Sequence, residues 1–214
     1  MAAMRIPRIA LALLAAVGAL SAAELPALRT EAVNAGSIFH VKNTSAQPLT
    51  AYLIELVEYP GSSFTLLQDE VAAPVAPSVE KSIPSTNMTV GAAPEYVKIT
   101  AAIYADGATA GDPVKVALVL GRRKAVLETA RELVARLEKA KAAGTPKAEL
   151  AAALKQWSDS LQPQTRTRGL SAASLNASAS RGTIGNAIAR LDSSIDDALA
   201  EVRATERVFA AAKP

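Results

Sequence analysis

The 214-residue chain has no cysteine, a single histidine and few rings: one tryptophan, three phenylalanines and four tyrosines. Without cysteine there are no disulfide staples, no thiolate metal ligands and no thiol nucleophile. One imidazole, His40, would leave a zinc site dependent on carboxylates, contrary to the usual ligands of that metal. Aromatic residues at 4% supply no row of rings for stacking unpaired bases, so nucleic acid is not expected as a partner. Past residue 23 no apolar run approaches the roughly 20 residues that cross a bilayer, so no integral span is expected there. The fold must therefore rest on burial, which a chain of this length can provide in one or two domains.

The first 23 residues, "MAAMRIPRIALALLAAVGALSAA", have Arg5 and Arg8 ahead of an uncharged run from Ile9 to Leu20, then small residues at Ser21 and Ala23. This layout predicts a cleavable signal peptide over 1–23, cut after Ala23, and a secreted or periplasmic location. Loss of Arg5 and Arg8 lowers the formal net charge from +3 to +1. The distribution is more informative than the total. Residues 24–120 carry net −5, residues 121–181 net +7, and residues 182–214 net −1. An acidic front and a basic middle attract each other, a second copy or an anionic surface.

From Ser37 the apolar pattern has a period of two. "SIFHVKN" sets Phe39 and Val41 on one face and Ile38 and His40 on the other. "LTAYLIELVEY" sets Tyr52, Ile54 and Leu56 against Ala51, Leu53, Glu55 and Val57, and two largely apolar faces predict a central strand. "FTLLQD" reads as a further short strand. Pro74, Pro77 and Pro84 place "VAAPVAPSVEKSIPSTN" at an edge or in a connection, because proline cannot donate to a ladder. "EYVKITAAIYA" alternates Val97, Ile99, Ala101 and Ile103 against Lys98, Thr100 and Tyr104. Short strands with frequent turn signals predict an antiparallel β-sandwich over 28–112.

Past Asp112 the period becomes helical. Asp112 is a good N-cap and Pro113 suits the first helical position. Val116, Leu120, Leu127, Ala130, Val134 and Leu137 form one stripe, with Gly144 as the stop. The β-branched run "VKVALV" also permits a last strand over 114–120. Thr145 and Pro146 open a second amphipathic helix carrying Leu150, Leu154, Trp157 and Leu161, so two helices are expected over 113–161. Residues 162–183, rich in Ser, Ala and Arg, predict a flexible loop. Over 184–212, Ile188, Leu191, Ile195, Ala198, Val202, Thr205 and Phe209 recur by three and four, predicting one heptad-patterned helix. Its partner is either the first helix, through Val126, Ala130, Leu133, Leu137 and Ala140 in a helical hairpin, or a second chain in a short coiled coil. The expected class is α+β.

The stretch "YADGATAGDP" invites comparison with metal and phosphate loops. It lacks the alternating oxygen ligands and twelfth-position glutamate of a calcium loop. It also lacks the Lys and Ser or Thr that follow the last glycine of a phosphate-binding loop. Asp106-Gly107 makes a tight turn and Asp112-Pro113 a helix start. No cofactor or metal site is expected. Arg122, Arg123 and Lys124 in "GRRKAVLETARE", with Arg166 and Arg168 in the following loop, are the candidates for contact with an anion or partner. Ile188, Leu191, Ile195, Val202 and Phe209 are the candidates for a helix-pairing seam. His40 has no nucleophile-elbow pattern to accompany it.

In "FHVKNTSAQPLTAYLIELV", "ITAAIYADGATAGDP" and "RRKAVLETARELVARL", the chain resembles a loose group of secreted bacterial proteins of unknown function with an immunoglobulin-like sandwich and a helical tail. The resemblance spans about residues 37–140 and implies a fold and an exported location, with no catalytic residues to carry over. The resulting expectation is an exported, non-enzymatic interaction or scaffolding protein of the cell envelope, acting on a protein partner or on itself. Two alternatives are a binding module for anionic lipid or glycan through the arginines, and a hydrolase using His40.

Overall fold

The computed structural model describes residues 23–34, 36–58, 64–86, 94–161 and 171–212. Most of the expected leader, with Arg5 and Arg8, lies outside them. Two antiparallel sheets come first and four helices follow.

Strands β1 (Ala27–Val33), β2 (Gly36–Lys42) and β5 (Glu80–Ser85) form one sheet in the order β1-β2-β5. Strands β3 (Leu49–Leu56), β4 (Thr65–Asp69), β6 (Val97–Tyr104) and β7 (Thr109–Gly111) form the other, in the order β4-β3-β6-β7. The expected faces hold for β2 and β3. Phe39 and Val41 meet Tyr52 and Ile54 in a core between the sheets, joined by Val97, Ile99, Ala102 and Tyr104. The opposite face of β3, with Ala51 and Leu53, packs on Val116 and Val119 of the first helix. This double coverage explains why β3 is apolar on both sides.

Strand β6 departs from its expected alternation. Leu53 pairs with Ala101 but Ile54 with Ile99, so Thr100 is an extra residue in the ladder. A bulge of this kind reverses the faces beyond it. Val97 and Ile99 therefore look into the inter-sheet core, whereas Ala101 and Ile103 look toward the helix. Strands β1 and β7 were not legible as strands; β1 is an edge whose residues are mostly exposed, and β7 has three residues. Pro84 sits in edge strand β5, as the proline argument requires.

The turn after β2 is built on Asn43. Its buried side chain donates to the carbonyls of Gln47 (2.8 Å) and Val75 (2.9 Å) and accepts from Ser45 N (3.0 Å). At the other end, "YADGATAGDP" is a corner. Ala108 N donates to Asp106 Oδ1 (2.9 Å), and Gly107 takes φ 91°. Gly111 has φ 92°, and a Cβ there would lie 2.2 Å from the Thr100 carbonyl oxygen. Only glycine fits.

Helix α1 (Pro113–Ala143) starts where Asp112 accepts from Val114 N at 2.8 Å, so the rival strand over 114–120 is not formed. It ends at Gly144, φ 65°. Helix α2 (Lys147–Ser160) begins one residue later than expected, with Pro146 at the cap position and no side-chain cap. Leu150 and Leu154 are buried, and Trp157 lies under the Arg136 guanidinium, 4.5 Å from the ring centroid.

The loop expected over 162–183 requires correction. Residues 162–170 lie outside the described residues, but Ala172–Leu191 is helix α3, capped by Ser171 accepting from Ser174 N. Its small side chains are a packing face. Ala179, Ser180, Ile184, Ala187 and Leu191 are buried, and Thr129 of α1 donates to Ser180 Oγ at 2.8 Å. The single heptad helix over 184–212 is corrected too. The chain leaves the helix at Asp192 and restarts as α4 (Ile195–Ala211). Ser194 caps α4, accepting from Asp197 N (2.9 Å) and donating to Asp197 Oδ2 (2.7 Å). That reciprocal pair is a helix start signal, and the heptad pattern ran over it. The four helices share a second core built from Leu133, Leu137, Leu154, Ile184, Ala198 and Val202.

Candidate functional site

The α1 face toward the β4-β3-β6-β7 sheet carries Lys115, Val119 and Arg123 at four-residue spacing, with Arg122 at its flank. Lys115 Nζ lies 2.7 Å from Glu55 Oε1, and Thr100 Oγ1 donates to Glu55 Oε2 at 2.5 Å. Arg122 Nη1 donates to Asp69 Oδ2 at 2.6 Å. Arg123 donates to Asp69 Oδ1 through Nε (3.1 Å) and Nη2 (3.0 Å), and Nη2 also reaches the Thr50 carbonyl (2.8 Å). The acidic front and basic middle of the sequence meet here, within one molecule.

Consecutive helical residues project about 100° apart, so Arg122, Arg123 and Lys124 do not share a face. The Arg123 side chain is 7% exposed, Arg122 26% and Lys124 76%. Arg123 is thus unavailable to an outside anion. Lys124 is 3.8 Å from Glu128. Arg166 and Arg168 lie outside the described residues. Two guanidiniums share one buried carboxylate, which leaves the cluster with an excess of positive charge.

His40 has partners that local sequence could not reveal, because they come from neighbouring strands. Its Nε2 is 2.9 Å from Glu31 Oε2 on β1, and its Nδ1 is 2.9 Å from Ser82 Oγ and 3.4 Å from Glu80 Oε1 on β5. Serine, histidine and glutamate are aligned, but in the reverse sense to a hydrolytic triad, where the nucleophile meets Nε2 and the carboxylate Nδ1. The group lies on the open outer face of a sheet. Its two carboxylates approach opposite ring nitrogens and both reach the Arg29 guanidinium (3.6 and 3.4 Å), and among the described residues no group of three or more His, Asp or Glu forms a metal site. The arrangement ties β1, β2 and β5 together side to side.

The candidate seam divides between two helices. Ile188 and Leu191 belong to α3, and Ile195, Val202 and Phe209 to α4. Leu191 and Val202 are buried against α1 residues Ala130, Leu133 and Leu137. The helices therefore pack on one another within the chain. Phe209 is half-buried where two grooves adjoin, one of about 320 Å³ beside Val126, Gly182 and Thr205, the other of about 430 Å³ beside Leu120 and Leu127.

In the inter-sheet core, burial pushes the Tyr52 phenol well above its ordinary pKa, and Glu70 adds to the effect. Burial also raises Tyr104, with Glu24 contributing. No helix among the described residues is long and apolar enough to cross a membrane. No protein-family model matches the chain, and comparison with curated proteins and with solved structures finds no match.

Proposed function

We propose that the chain is an exported, non-enzymatic interaction protein of the cell envelope, in which an immunoglobulin-like sandwich is held by a helical brace and presents its free sheet to a protein partner. The observation that carries this reading is the asymmetry of the two sheets. The β4-β3-β6-β7 sheet is covered by α1 and locked to it by Glu55 and Asp69. The β1-β2-β5 sheet turns outward a polar face of Arg29, Glu31, His40, Lys42, Glu80 and Ser82. The strand order supports the immunoglobulin-like reading: β1-β2-β5 and β3-β6-β7 follow the A-B-E and C-F-G order of such sandwiches, with β4 beside β3 as a C′ strand lies beside C.

Export is proposed from the leader, with cleavage after Ala23. Tyr104 donates to the Glu24 carbonyl, so the residue that cleavage would leave first is tied to the inter-sheet core. Cross-linking in the native envelope tests the reading: the same partner should be captured by wild type and lost with Arg29→Glu and Lys42→Glu, which reverse charges on exposed positions. Capture unchanged by both, or no specific capture, removes it. Self-association as the role predicts an oligomer in light scattering, and a monomer at high concentration dismisses it. The second reading, contact with anionic lipid or glycan, draws support from the exposed Lys124 and the partly exposed Arg122. It requires salt-sensitive sedimentation with anionic vesicles.

A further inference from the structure

The larger of the two grooves beside Phe209 runs between α1 and the last turn of α4. Leu120, Leu127, Phe209 and Ala210 make its apolar wall, and among the described residues the charged side chains lining it are Arg123 and Lys124. The charges at this end of α1 do not balance. Among the described residues, the carboxylates paired with Arg122, Arg123 and Lys124 are Asp69 and Glu128, two for three cations. The Lys124–Glu128 pair is loose and exposed, so its ammonium can exchange Glu128 for another anion at small cost.

We propose that this groove binds one monomeric fatty acid, its alkyl chain lying along Leu120, Leu127 and Phe209 and its carboxylate meeting Lys124. The chemistry follows from three features. An apolar wall with one or two polar groups at its rim is the usual make-up of a small-molecule site. The surplus charge selects an anionic head over a cationic one. A groove of about 430 Å³ matches one short alkyl chain, so the ligand proposed is a free monomer and not a bilayer. The site rests on neither reading of the function given above, since a monomer can bind whether or not an envelope partner is captured.

Calorimetric titration of the full chain with dodecanoate below its micellar concentration tests the proposal, with dodecyltrimethylammonium as the cationic control. Expected is saturable one-to-one binding of dodecanoate, tighter than the control by about tenfold or more. Lys124→Glu, at an exposed position, should weaken dodecanoate by about tenfold or more and narrow the gap to the control. Ala210→Trp, from an exposed position on α4, should fill the groove and abolish binding. Circular dichroism verifies that both variants are folded. Absence of saturable binding, equal affinity for both chains, or binding indifferent to both substitutions overturns the proposal. So does association with anionic vesicles unaccompanied by monomer binding.

Discussion

Arg123 on α1 donates two hydrogen bonds to one carboxylate oxygen of Asp69 on β4 in an ion pair that is almost dry, with side chains 7% and 5% exposed. The pair is a rivet between the two halves of the molecule. Its net worth relative to an apolar pair of the same shape is small, because burying charge costs nearly what the attraction returns. Removing one partner is different. Asp69→Ala strands two guanidiniums against the sheet and should cost about 3–5 kcal/mol, read as a fall in the urea midpoint. Arg122→Ala, which leaves Arg123 on Asp69, should cost about 1 kcal/mol or less. Equal losses in the two variants would show that Arg123 is not the principal partner.

That rivet marks what the sequence could and could not disclose. The charge asymmetry between residues 24–120 and 121–181 announced an attraction, and the two-residue period of β2 and β3 announced their faces. Neither could say that Arg122, Arg123 and Asp69 meet, since that depends on how a 31-residue helix lies across a sheet. Helix α3 departs from the expected loop because helix propensity and burial disagree there. Ser178, Ser180, Gly182 and Gly185 are poor helix formers, and Ala and Ser score as little to bury. Tertiary packing decides the matter, since small side chains let α3 approach α1 closely enough for Thr129 to bond Ser180. The partners of His40 were hidden for a topological reason, lying 9 and 42 residues away on strands that flank β2.

Two buried tyrosines should respond in opposite senses to loss of the hydroxyl. Among the described residues the Tyr52 hydroxyl has no hydrogen-bond partner, so it bears a desolvation cost without return. Tyr52→Phe should leave stability unchanged or raise it by about 1 kcal/mol. Tyr104 donates to the Glu24 carbonyl, and Tyr104→Phe should lose about 1 kcal/mol. Thermal unfolding of both variants provides the comparison, and a clear loss in Tyr52→Phe would show that its hydroxyl is satisfied.

Both phenols also set an alkaline limit. Each is raised by burial, so the folded state holds its proton more tightly than the unfolded chain, whose tyrosines ionise near pH 10. Their contribution is complete below about pH 10 and is lost as pH climbs from there toward the folded values. Unfolding free energy should therefore decline above about pH 10, less steeply in Tyr52→Phe. Spectroscopic titration should show two phenols ionising only as the fold is lost. Four tyrosines titrating together before unfolding would contradict the burial of Tyr52 and Tyr104.

Helix α3 contains two glycines without a steric reason to be glycine. A Cβ built at Gly182 or Gly185 meets no atom within 4 Å, and neither has a positive φ. Glycine in a helix interior costs roughly 0.5–1 kcal/mol relative to alanine, because the unfolded chain has more freedom to lose. Gly185→Ala, at an exposed position, should therefore gain about that amount. Gly182 differs in one respect: it lines the groove of about 320 Å³ between α1, α3 and α4. Gly182→Ala should gain about as much, since the added methyl meets no neighbour there. Additive gains in the double variant, measured by urea unfolding, would place the two sites as independent positions on a helix held by its opposite face. A loss at Gly185 would mean that α3 needs local backbone freedom there, and the view of this segment as a rigid packing element would fail.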